Sequence, residues 1–474
     1  LVATAYYAVL ALPLTYVVLV ITATIDGNMH WTVAAALSTV VGFVAWPFLV
    51  LLSIAVKWIV IGRYQAGRYP LWGGYYLRWW IANRFQALAW AEMFKGTPLM
   101  SLYWRAMGAK IGRDVTISTN LSSAWDMVSI GDNASVGAET QILGYRIEDG
   151  YLVIAPVSIG NDCFVGMQCA LGLGSRMGDG SRLDDMSLPA VVNVPERRRN
   201  MKNATPLRRM GHKLTRAFYG LMHLTLIYAM GYFLLLTALP SIALVLGALY
   251  LGGPWWGVAA AFASIPVGLF TYIRGAIMLK RLIGPLKPGM TSLYSFRYLR
   301  HWFAAYLLEN TKTLLMPVYA TIYLPGLLRA FGAKIGKGVE ISTVSQICPD
   351  VLEIGEGSFL ADACLVGGER IHNDMLEVGA VKIGSRTFIG NSAVVTGGHT
   401  IGDDVLIGVC STPPADMPVV PNGTRWLGSP SFALPNTQRD SCFAEAQIFK
   451  PSLLARLERA LTDAVRILLP SVIA

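Results

Sequence analysis

The sequence predicts a membrane α plus β chain made of two tandem units, each with a transmembrane helical hairpin, an interfacial helix and a parallel β-helix. Three observations predict it. Long uncharged stretches come in pairs, two polar segments carry aliphatic residues every six positions, and one half maps onto the other at a nearly constant offset. The 474 residues are 54% hydrophobic and 14% charged, which excludes a disordered chain and argues against an ordinary soluble enzyme. A formal charge of +10 on such a chain records cytoplasmic loops before it records nucleic acid, so no nucleic-acid partner is expected.

Residues 1–60 form the first transmembrane hairpin: 1–25 and 31–56 are uncharged, and Asp26-Gly27-Asn28 breaks them into two segments. Each is near the ~20 residues that cross a bilayer. Segment 61–107 is interfacial, because 75–90 mixes Arg with Trp and Tyr as a helix at headgroup level does. The first β-helix takes 108–195. A basic linker and second hairpin occupy 196–283, with 217–273 uncharged and Gly252-Gly253-Pro254 as the turn. The second interfacial segment is 284–331 and the second β-helix 332–435. Segment 436–474 is a linker and the start of a third unit, since Leu461, Thr462 and Ala464 resemble Leu214, Thr215 and Ala217.

The duplication is read residue by residue. Gly108 to Gly112 (GAKIG) recurs 224 positions later, as do Ile117-Ser118-Thr119 and Ile159-Gly160. Upstream the offset is 222, carrying Gly62, Gly67, Leu71 and Tyr76-Leu77-Arg78 onto Gly284, Gly289, Leu293 and Tyr298-Leu299-Arg300. Within the polar segments the six-residue period runs through Ile383, Ile389, Val395, Ile401 and Ile407, and through Ile159, Val165, Leu171, Met177 and Leu183. Shorter blocks lie at Ile335, Ile341, Ile347 and at Ile354, Leu360, Val366. Neither a helix nor a flat strand has that period. A coil of one strand and one corner per hexad does, with glycine serving the corner.

Basic residues flank one side of the hairpins only: Lys57, Arg63, Arg68 and Arg78, then 197–199, Lys202, Arg208 and Arg209, then Lys280, Arg281 and Lys287. The positive-inside rule puts both polar domains in the cytoplasm of a multi-pass inner or plasma membrane protein, with membrane lipid as its surroundings. Cys163, Cys169, Cys348, Cys364, Cys410 and Cys442 show no zinc spacing and are read as reduced packing thiols, with no metal expected. Leu1 already lies in an apolar run without an initiator Met, so an upstream part is expected.

On these hexads the sequence resembles the hexapeptide-repeat acyltransferases, whose β-helix is left-handed, and Gly428-Ser429-Pro430 is similar to the turn after their last coil. The resemblance implies left-handed coils, trimers, and active sites in grooves between prisms. A third unit or a homo-oligomer would complete that trimer. Hairpins joined to hexapeptide domains resemble more specifically the C-terminal region of the poly-lysine-synthetase-like family of membrane-bound non-ribosomal peptide synthetases. That resemblance implies adenylation and carrier domains upstream, a phosphopantetheine arm on that carrier, and ATP only at the missing adenylation domain. It implies an elongation region forming amide bonds from a tethered aminoacyl thioester. The alternatives are an O- or N-acyltransferase using acyl-CoA, or a non-catalytic scaffold or export conduit.

Such acyltransferases use a His as general base. Of the six here, His30, His212, His223 and His301 lie at a turn, within a span or near the membrane, and are read as structural or interfacial. His399, before the core Ile401, is the catalytic candidate; Ser175 holds its place in the first domain. His372 in the irregular 367–381 loop, opposite Glu148, and Asp403 and Asp404 beside His399 are expected to bind substrate, and Glu369, Asp374 and Glu377 of that loop would suit a cationic amine through charge pairing. No cofactor-binding residue is read. Cys410 follows the last hexad without a paired His and is read as a buried thiol rather than an acyl carrier.

Overall fold

The structure, a computed structural model, describes residues 15, 16, 19, 20, 22–24, 26–183, 185, 206–367, 369–372, 374–435, 449 and 451–473. Most of the first expected span, the 197–199 and Lys202 basic cluster, Cys442 and most of the 436–450 linker lie outside the described residues. The chain forms two compact units. One is built on 1–164 and 170–182; the other takes the chain from 195 onward together with 165–169 and 183–190.

Among the described residues, three helices are long and apolar enough to cross a membrane: Thr32–Val60, Met210–Gly252 and Pro254–Ile283. The last two join at Gly253, whose φ of 78° lets the chain reverse before Pro254 opens the next helix. His30 caps the helix Trp31–Val60, its ring accepting from the Thr32 amide. Helices Gly74–Ala87 and Phe296–Leu314 follow the spans, where interfacial segments are expected.

Both polar segments are parallel coils of two- and three-residue strands. In the first unit Lys110–Ile111 pairs with Ser129–Ile130, Thr116–Ile117 with Ser135–Val136, and Val128–Ile130 with Val157–Ile159. In the second, one sheet stacks the strands beginning at Lys334, Leu352, Val381, Thr400 and Val419. The aliphatic member of each hexad points inward: Ile354, Leu360, Val366, Ile383, Ile389, Val395, Ile401 and Ile407 are buried.

One detail corrects the hexad reading, and a second divides the glycines between two roles. Ile347 is only half-buried and lies in no strand, and Val344 takes the core position instead. The chain there turns into a short 3-10 helix opened by Pro349, which has no N–H to give a ladder. The left-handed corner, two residues beyond the glycine that follows the core residue, is glycine in some coils, Gly174, Gly180, Gly338 and Gly357, with φ between 63° and 74°. In others it is filled by Asp114, Asn133, Asp162, Arg386, Ser392, Asp404 and Cys410, with φ between 49° and 57°. Many of the glycines that follow a core residue let successive coils approach: a Cβ on Gly355 would stand 2.5 Å from backbone atoms of Gly384 and Ser385.

Each unit also holds a buried ion pair at the foot of its long helix. Lys57 Nζ donates to Asp126 at 2.8 Å, and the Tyr64 amide donates to the same carboxylate at 3.0 Å. Lys280 reaches Asp350 at 2.8 Å, and the Leu286 amide donates to it at 3.1 Å. A short antiparallel strand recurs as well, Gly67–Pro70 on Tyr151–Ile154 and Gly289–Ser292 on Met375–Val378.

Candidate functional site

The site is built in the second unit, where the coil Val394–Val395 turns through Thr396 and two glycines into Thr400–Ile401. His399 is half-buried at that turn, its own carbonyl tied to the Lys382 amide at 3.1 Å. Its Nδ1 lies 3.0 Å from the Thr396 carbonyl and 3.2 Å from the Thr396 hydroxyl. A carbonyl only accepts, so the proton is assigned to Nδ1 and the lone pair to Nε2. Nε2 makes no hydrogen bond among the described residues.

Arg370 completes the site. It opens the strand Arg370–His372, and its Nη2 donates to Thr396 Oγ1 at 3.3 Å and to Asp185 Oδ2 at 2.9 Å. Asp185 is buried; its other oxygen accepts from the Met167 amide at 2.7 Å, and its carbonyl from Ser429 Oγ at 3.1 Å. Burial lowers the pKa of His399 and the Arg370 guanidinium adds to that, against the Thr396 carbonyl and Asp185, which act the other way. The imidazole therefore stays neutral further into acid than an ordinary His.

The expected substrate-binding residues divide. His372 lies half-buried two residues from Arg370, on the same face of its strand by the alternation of side chains. Asp374 is the turn residue between that strand and Met375–Val378, with φ 58°, its carbonyl accepting from the Leu293 amide. Glu369 is not a solvated loop acid: its carboxylate pairs with Nε2 of His301, which is 4% exposed. Burial works to lower the His301 pKa, and the Glu369 charge outweighs it, so the pair holds its proton on the imidazole.

Asp403 and Asp404 are exposed and engage the coil itself. Asp403 Oδ1 accepts from the Ser385 amide at 2.6 Å, one rung of a ladder continued by Asn422 Oδ1 accepting from the Asp403 amide. The first unit has the same ladder in Asp132, Asn161 and Asp179. A short side-chain acceptor there satisfies an N–H that the coil corner leaves unpaired. Asp404 forms an exposed ion pair with Arg386.

Sequence reading missed Arg370, Thr396, Asp185 and the pairing of His301. The available signal was divergence between the copies: Trp79, Tyr145 and Gly172 stand where His301, Glu369 and Thr396 do in the second. The cysteines also differ from expectation at one position. Cys163, Cys169, Cys348 and Cys364 are buried, with burial pushing Cys348 and Cys364 up to about 12, but Cys410 is exposed at a left-handed corner.

Comparison with known proteins comes to the same repeats. The family described as the hexapeptide repeat of succinyl-transferase matches 156–184 and 380–409, the second stretch holding Thr396 and His399. A delta-poly-L-ornithine synthetase of Acinetobacter baumannii (strain AB307-0294) is 32% identical over 482 residues, covering 94% of this chain. The chain spans 35% of that relative's length. The resemblance to poly-amino-acid synthetases thus extends over nearly the whole chain, with hexapeptide repeats in both polar segments. Among solved structures, a maltose O-acetyltransferase from Clostridium difficile 630 matches at 17% identity and a TM-score of 0.23, over 34% of this chain and 97% of its own. A serine acetyltransferase isoform 3 from Entamoeba histolytica, in complex with cysteine, matches at 14% and 0.15, over 48% and 77%.

Proposed function

We propose that this chain is the amide-bond-forming region of a membrane-bound poly-amino-acid synthetase of the poly-ornithine or poly-lysine kind. The observation that carries it is a His399 whose Nδ1 is committed to the Thr396 carbonyl, leaving Nε2 as the basic nitrogen, in a chain similar along 94% of its length to such a synthetase. A phosphopantetheine arm on an upstream carrier domain supplies the reactive aminoacyl thioester, and ATP is used only at an upstream adenylation domain. His399 Nε2 takes the proton that the amine sheds as its nitrogen bonds to the thioester carbonyl, and the Thr396 carbonyl stabilises the resulting imidazolium through Nδ1–H; the C–S bond then breaks, and the imidazolium returns the proton to the departing thiolate of the arm. Arg370 and Asp185 hold Thr396 and the turn in place. Tethering raises the thioester's effective concentration to the order of millimolar, so an open site suffices.

In this reading each unit is a membrane hairpin carrying a left-handed hexapeptide prism on the cytoplasmic side, in contact with membrane lipid, with a third unit or a homo-oligomer completing a trimer of prisms. The experiment is His399→Ala in the full-length enzyme: polymer formation is lost while amino-acid-dependent pyrophosphate exchange continues. Unchanged polymer output refutes the assignment. The hexapeptide match favours a second reading, an acyltransferase that modifies a hydroxyl or amine from acyl-CoA. Mass spectrometry of acceptors after incubation with acetyl-CoA separates the two.

A further inference from the structure

The two units share a junction between the helix after the span and the loop that leaves the coils, but they fill it with different chemistry. In the first, Trp79 of the helix Gly74–Ala87 packs on Tyr145, ring centroids 5.0 Å apart. The residues 222 and 224 positions on are His301 and Glu369, and these form the buried ion pair. Removing a charged acid and base from water costs more than packing two rings.

The neighbouring differences run the same way. Arg146 of the first unit pairs with the adjacent Glu148 at 2.6 Å, largely in solvent. Its counterpart Arg370 instead reaches Asp185 and Thr396. Gly172 and Ser175 stand where Thr396 and His399 do. The polar substitutions therefore form one connected series: Glu369 precedes Arg370 in the chain, Arg370 holds Thr396, and Thr396 holds His399. Around His301 the other facing groups are Asp350 from the 3-10 turn and Arg297 from its own helix.

We infer that the His301–Glu369 pair is a positioning device for His399: it pins the start of the strand Arg370–His372 to the helix Phe296–Leu314, so that Arg370 keeps Thr396 and the imidazole in register. The first unit has an aromatic pair at that junction, with Gly172 and Ser175 in place of Thr396 and His399. This rests on the reading of His399 as the base, and the test has an arm independent of that reading.

The test transplants the first unit's pair into the second, as H301W/E369Y in the full-length protein, which keeps a packed contact and removes the charges. Amide formation is expected to lose about tenfold or more in kcat, with KM for the amine acceptor within about twofold, as loss of orientation rather than of binding requires. In parallel, the rate at which diethyl pyrocarbonate modifies His399, read by peptide mass spectrometry, shifts away from wild type. Glu369→Gln keeps the shape and one hydrogen bond, and moves both readouts in the same direction should the bulkier pair not fold. Either readout holding at its wild-type value in a folded variant overturns the proposal. If the wild-type protein forms no amide bond, the functional reading falls, and the modification rate alone decides the positioning role.

Discussion

His399 can take a proton only while its ring is neutral, so the direction of its pKa shift decides the pH range in which it works. Burial first, and the Arg370 charge after it, lower that pKa. The acid limb of kcat/KM is therefore expected below the ordinary His value of about 6.5. Arg370→Gln removes a group that disfavours the imidazolium, while Asp185 remains, so the limb should move to higher pH. A pH–rate profile of amide formation checks this, and a limb that does not move separates Arg370 from the base. A second residue-scale prediction concerns Asp403. Since its carboxylate accepts from a backbone amide, Asp403→Asn should keep activity near wild type, whereas Asp403→Ala should lower stability by about 1 kcal/mol. Loss of activity in the Asn variant, measured at saturating substrate, would return Asp403 to a substrate role. His399 was legible as a corner His missing from its copy. Arg370 and Asp185 were not, because 185 residues separate them and no local pattern links an arginine to an aspartate at that distance.

At the scale of the coil, the six-residue period was legible because one side chain per strand must face the shared core, and composition cannot hide that. That glycine stands where a Cβ would crowd was legible too; which glycine serves which need was not, because sequence spacing does not tell a turn that needs positive φ from a coil contact that needs no Cβ. Gly355 and Gly172 separate the two. A Cβ on Gly355 would meet backbone atoms at 2.5 Å, which cannot step aside as a side chain can. Gly355→Ala should cost about 1–3 kcal/mol through overpacking. Gly172 also follows a core residue, but has open space around its Cβ position and no left-handed φ, so Gly172→Ala should leave the unfolding midpoint nearly unchanged. Thermal unfolding of the two variants in detergent compares them directly; equal midpoints would sink the close-approach account. The failed hexad at Ile347 has a similar origin. The chain leaves the ladder for a Pro-led 3-10 turn, and a period of six continues in the letters after the coil has stopped.

The lysines at the feet of the long helices were legible only as part of a basic flank, which predicts a solvated charge. The structure buries both side chains, Lys57 against Asp126 and Lys280 against Asp350. Their partners lie 69 and 70 residues away, beyond any helical or strand spacing. Each aspartate also accepts an amide from the segment that leaves the span, Tyr64 or Leu286, so a single carboxylate ties together span end, connecting chain and coil domain. Among the described residues the arrangement occurs in both units, and it joins an apolar helix long enough to cross a bilayer to a polar coil. Lys280→Met leaves Asp350 buried and without its cation, and removal of one partner of such a pair costs about 3–5 kcal/mol. Replacing both members, as Lys280→Met with Asp350→Leu, removes the stranded charge and should recover part of that loss, although the Leu286 amide then lacks its acceptor. The expected order of thermal stability in detergent is wild type, double variant, single variant. A single variant that melts with the wild type would mean that the coil domain does not depend on the span for its footing. The coil's own hydrogen bonds would then be enough to hold His399 in place.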